Sequence, residues 1–118
     1  MSADFEAVYG ELRDIMLGVV DDGLVVTDDE AGSLTVRSQR RDKKGQLGWF
    51  GAVTIKRSYV AYHLMTLYEH PALADDLSAE LGKRRQGKTC FNFKRQDSAL
   101  FSELAQLTAA ARRVEARE

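Results

Sequence analysis

An α+β fold is predicted, with helices at the two ends of the chain packed on one face of an antiparallel sheet of about five strands. Three observations lead there. Apolar residues recur at helical spacing in the first and last segments. The middle holds short β-branched and aromatic runs. The connections between those runs are too brief for the crossovers that parallel strands need. The expected order is α-β-β-β-β-α-β-α.

The first helix rests on Phe5, Val8, Tyr9, Leu12, Ile15, Met16 and Val19, whose spacing places them on one face. Ser2 or Asp4 can cap it, and Gly18 with Asp21-Asp22-Gly23 ends it. Leu24-Val25-Val26-Thr27 and Ser33-Leu34-Thr35-Val36-Arg37 read as a hairpin around the turn formers Asp28 to Gly32. Residues 38–48 read as a basic, glycine-containing loop. Two further strands follow, Trp49 to Lys56 and Tyr59 to Tyr68, joined through Arg57 and Ser58 and therefore antiparallel. Gly51 inside the first of them signals a bulge or a close approach of backbone.

Pro71, the only proline, suits the first turn of a helix, and Leu73, Leu77 and Leu81 continue at helical spacing. Ser78 offers a second cap, so an interrupted helical region is expected over about 71–85. Gln86-Gly87 breaks it, Thr89 to Lys94 forms a fifth strand, and Asp97 or Ser98 caps a last helix running to about Arg113. Leu100, Phe101, Leu104, Leu107 and Ala111 form its inward face.

The chain has 118 residues, 44% hydrophobic and 30% charged, which fits one domain over 1–118 with an unstapled core. Cys90 is the only cysteine, so no internal disulfide framework exists. No apolar run approaches the length of a membrane span, and the acidic N-terminus lacks a signal-peptide pattern. A cytoplasmic protein is expected, with no membrane partner, as a monomer or homodimer. The net charge of −1 hides a segregation. Residues 1–36 hold nine acids and one base, whereas residues 37–95 hold thirteen bases and five acids. Such segregation can mark a partner surface; otherwise the two zones are expected to face each other or to be solvated.

Tyr59-Val60-Ala61-Tyr62-His63-Leu64-Met65, then Gln86-Gly87-Lys88-Thr89-Cys90-Phe91-Asn92-Phe93-Lys94 and a closing amphipathic helix, resemble a group of small bacterial proteins, the YdhG-like family. The resemblance covers most of the chain and is stronger over 49–104 than over the acidic first third. It implies a curved antiparallel sheet with terminal helices, and no established reaction. Some YdhG-like proteins are similar in architecture to frataxins, discussed as iron chaperones, which carry acids on their first helix and strand. Acids stand here at Glu6, Glu11, Asp14, Asp21, Asp22, Asp28, Asp29 and Glu30. No family motif assigns metal ligands to them, and none is carried over.

Candidate sites follow from residue chemistry. In Thr89 to Lys94, the set Cys90, Asn92 and Lys94 alternates with Phe91 and Phe93, so the two sets face opposite ways. With the phenylalanines turned to the helices, the polar set lines an exposed face. Tyr62 and His63 are expected to join it from the neighbouring strand, and Trp49 to add a stacking surface. The leading expectation is a non-enzymatic module that binds a small molecule or a protein partner on this face. A second is weak iron or other metal handling by the acidic first third. A third uses Cys90 as a nucleophile paired with His63, although no catalytic signature surrounds it. Zinc is disfavoured by one cysteine and two histidines without ligand spacing. Gly45 to Gly51 lacks the strand-to-helix setting of a phosphate loop, and no cofactor is assigned. Two basic runs, one from Arg37 to Arg57 near a hairpin and one of Lys83, Arg84, Arg85 and Lys88, argue for nucleic acid, but a sequence pI of about 6.1 and the lack of a recognition motif argue against it.

Overall fold

The computed structural model describes residues 2–41 and 44–117. Helix α1 (Ser2–Leu17) precedes strands β1 (Leu24–Glu30), β2 (Ser33–Arg41), β3 (Leu47–Ile55) and β4 (Val60–Leu64). Helices α2 (Thr66–Glu69) and α3 (Ala79–Arg84) flank a 3-10 turn at Pro71–Ala74. Strands β5 (Arg85–Gln86) and β6 (Cys90–Phe93) and helix α4 (Ser98–Arg117) complete the chain. The strands form one six-stranded antiparallel sheet in the order β1-β2-β3-β4-β6-β5. The α+β class and the helices on one face agree with expectation.

Alternation along each strand sorts the side chains. Leu34 and Val36 of β2, Val53 of β3, Val60, Tyr62 and Leu64 of β4, and Phe91 and Phe93 of β6 are buried on the helix side. Helix α1 supplies Val8, Leu12 and Met16 to this layer, and α4 supplies Phe101, Leu104 and Ala111. Each large apolar side chain withdrawn this fully contributes about 1.5–3 kcal/mol to folding. Phe93 meets Phe101 edge to face at 5.0 Å, which ties β6 to α4. Ser78 caps α3 by accepting from the Leu81 N–H at 3.1 Å, and Asp97 caps α4 by accepting from Leu100 at 3.1 Å.

Several boundaries differ from the sequence reading. The first hairpin turns at Ala31-Gly32, with Gly32 at φ 78°, and Asp28 to Glu30 belong to β1 rather than to the turn. An acidic strand at the sheet edge repels the edge of a second molecule, which gives these carboxylates a structural use. The basic loop is shorter than 38–48, because β2 continues to Arg41 and β3 starts at Leu47; Asp42 and Lys43 lie outside the described residues. The fourth strand stops at Leu64 rather than Tyr68. There the Met65 N–H bonds to the Phe50 carbonyl at 2.8 Å, and the chain turns into α2 to bury Thr66 and Leu67. A sixth strand, Arg85-Gln86, occupies the position read as a helix end, and Gly87 at φ 75° makes the turn into β6.

The acidic first third is held from two sides. Arg13 donates to both carboxylate oxygens of Asp29, at 3.1 and 2.6 Å. Arg112 of α4 bridges Asp21 and Glu115, and Glu115 accepts from the buried Ser38 hydroxyl. Neither arginine comes from the basic middle of the chain. Both aspartates are held below the ordinary carboxylate range, first by the hydrogen bonds from Arg112 and Arg13.

Candidate functional site

The face of the sheet away from α1 and α4 is built from the outward residues of β2, β3, β4 and β6. Register sets them side by side. Thr35 is paired with Ala52, Ala52 with His63, and His63 with Cys90. One step along, Thr54 is paired with Ala61 and Ala61 with Asn92.

A bulge shapes one end of this face. Val36 pairs with Gly51 and Arg37 with Trp49, so Phe50 is an extra residue on β3 and turns into the core. The bulge brings Trp49 back to the open side, 50% exposed. Arg37 is fixed by its bond to the Leu47 carbonyl at 3.0 Å, and its guanidinium carbon lies 3.9 Å from the centre of the Trp49 ring. Beside this braced indole is a hollow of about 290 Å³, almost wholly apolar, lined by Trp49, Gly51, Ala52, His63 and Met65.

A polar row leads away from the hollow. The Cys90 thiol donates to Asn92 Oδ1 at 3.2 Å, and Asn92 Nδ2 donates to Gln86 Oε1 at 2.7 Å. The relay has a direction, since a protonated thiol needs an acceptor, and this leaves Gln86 Nε2 as the outward donor. Burial pushes the Cys90 thiol up, against the lowering effect of nearby Lys56. Burial also holds His63 below its usual value, and the Lys56 charge acts the same way. The face therefore presents a protonated thiol and a neutral imidazole at neutral pH.

Beyond the relay lies a second, basic hollow of about 470 Å³. Lys83 and Arg84 from the end of α3, Arg85 of β5 and Lys94 after β6 line it. Tyr59, Gln86 and Asn92 complete the wall, and no acidic residue takes part.

Five of the expected site residues share the open side: Trp49, His63, Cys90, Asn92 and Lys94. Tyr62 does not. It precedes His63 on the same strand and so faces the other way, fully buried, with its hydroxyl 2.6 Å from Thr108 Oγ1 of α4. The site reading of the sequence missed Met65, Ala52 and the Lys83–Gln86 segment. The basic run of Lys83 to Lys88 was visible, but its position beside Asn92 depends on the short strand β5. Among the described residues no group of three or more His, Cys, Asp or Glu side chains is placed to hold a metal ion. No helix among them is long and apolar enough to cross a membrane.

No protein-family model matches the chain, and neither does any curated protein or solved structure.

Proposed function

We propose that the chain is a non-enzymatic binding module that takes a small organic ligand on the open sheet face. The ligand's apolar part sits in the hollow between Trp49, Ala52, His63 and Met65. One observation carries this reading: a half-exposed tryptophan, braced on Arg37, stands beside an apolar hollow of about 290 Å³. That volume suits one ring system or a short chain rather than a protein helix. A nucleophilic role for Cys90 is not favoured. Such a role calls for a lowered thiol pKa and a base that takes the proton, whereas burial raises this thiol and its hydrogen bond is donated to the Asn92 amide oxygen, which is no base. Kinship with the YdhG-like proteins and a cytoplasmic setting belong to the same proposal, supported by the order of elements and the single unpaired thiol.

The test is a titration with 1-naphthol, followed by backbone amide shifts. Shifts are expected to concentrate at Trp49, Ala52, His63 and Met65. Ala52→Leu, which fills the hollow from its floor, is expected to weaken binding about tenfold or more, since 1.4 kcal/mol of lost contact is tenfold. Shifts scattered over the surface, or binding unchanged by Ala52→Leu, would remove the proposed seat.

A further inference from the structure

We propose that the basic hollow is the anion subsite of the same ligand, which makes the ligand class a phosphate monoester on an apolar or aromatic body. This rests on the reading of the open face as a small-ligand site.

Three observations carry it. The first is chemical sign: Lys83, Arg84, Arg85 and Lys94 converge on one hollow without an acidic wall residue. Among the described residues, Arg84, Arg85 and Lys94 form no ion pair, and Lys83 meets only Glu80, at a loose 3.7 Å between two exposed side chains. Glu80 and Asp97 line a separate hollow on the other side of Arg84 and Lys94, so these two cations stand between the hollows.

The second is the supply of neutral donors. The relay from Cys90 through Asn92 ends on Gln86 Oε1 and leaves the Gln86 amide N–H groups free of it, and Tyr59 lines the same hollow. Arg85 holds the turn by donating from Nη2 to the Lys88 carbonyl at 2.8 Å, while its shielded Nε makes no hydrogen bond. Cations and donors together, two of them forked guanidinium groups, match the three oxygens of a phosphoryl group better than the two of a carboxylate.

The third is distance. His63 of the apolar hollow and Asn92 of the basic hollow lie on neighbouring strands, one register step apart across the Cys90 pairing. One strand spacing and two residues of rise separate such positions by roughly 8 Å, the span of a small aromatic phosphate.

The test compares three probes by amide shifts: inorganic phosphate, 1-naphthol and 1-naphthyl phosphate. Phosphate alone is expected to shift residues 83–86 and 92–94. Naphthyl phosphate is expected to shift both hollows and to bind about tenfold more tightly than naphthol. Arg84→Gln with Lys94→Gln should erase that gain and leave naphthol binding alone. Added sodium chloride on the unaltered protein gives the same answer without a variant, weakening the phosphate ester and sparing naphthol. Equal affinities for naphthol and its phosphate, with no phosphate shifts in the basic hollow, would overturn the anion subsite and leave the apolar seat standing. Phosphate shifts there without naphthol binding at Trp49 would overturn the two-part ligand.

Discussion

His63 and Cys90 are register partners across β4 and β6 on the open sheet face, yet the Cys90 thiol donates its hydrogen bond to Asn92 Oδ1 at 3.2 Å. The thiol is thereby kept in its protonated form, and burial acts in the same direction. Thiol alkylation should therefore rise with pH and reach its midpoint above the ordinary cysteine value of 9.0. A midpoint below 7 would mean that the thiolate is stabilised and would reopen the nucleophile reading.

The neighbouring imidazole gives a pH dependence with a definite sign. His63 is held below its ordinary value of 6.5, first by burial and then by Lys56. The unfolded chain takes up the proton at a higher pH than the folded one. The contribution of His63 to stability is therefore complete above 6.5 and is lost as pH falls from there through the lower folded value. Urea unfolding between pH 7.5 and 5 should show this slope, and His63→Gln should flatten it. An anion bound on the same face should move the His63 titration upward in imidazole proton spectra.

Tyr62 and Thr108 allow a sharper test of packing. Thr108 spends its proton on the Leu104 carbonyl at 2.8 Å, so the Tyr62 hydroxyl is the donor in the buried pair. Tyr62→Phe removes that donor and leaves Thr108 still bonded, at a cost of about 1–1.5 kcal/mol. Thr108→Val strands a buried hydroxyl without an acceptor, at about 2–3 kcal/mol. Unfolding midpoints should therefore order Thr108→Val below Tyr62→Phe. The double variant should cost less than the sum of the two.

The same residue marks where the sequence stops being readable. Alternation in Cys90 to Phe93 gave the two faces of β6 correctly, because two phenylalanines decide which side is apolar. In Val60 to Leu64 nearly every residue is apolar or aromatic, so composition does not reveal the buried side. The pairing of Tyr62 with Phe91 settles it, and that register is a long-range property. The two-residue strand β5 is likewise invisible in a basic segment with low strand preference; it exists because β6 offers a free edge. The end helices and the Asp97 cap of α4 were legible, since each depends on residues a few positions apart. The apolar hollow was legible only as a glycine in a strand and a tryptophan beside it.

Gly51 is where the shape of that hollow is set. A Cβ there would lie 2.7 Å from the His63 carbonyl oxygen and 2.9 Å from Met16 Sδ. The methionine is flexible and can yield, but the carbonyl belongs to the β3–β4 ladder and cannot. Gly51→Ala should destabilise the fold by about 1–3 kcal/mol, as overpacking does in a close-packed core. It should also push β4 away from β3 and disturb the amide shifts of His63 and Met65. Met16→Ala alone should cost about 2–5 kcal/mol through the cavity it leaves. In the double variant the new Cβ occupies part of that cavity, so its loss should fall short of the sum, while the clash with His63 persists. Strict additivity of the two losses in urea denaturation would mean that Met16 and Gly51 do not share the contact, and that the bulge alone positions Trp49.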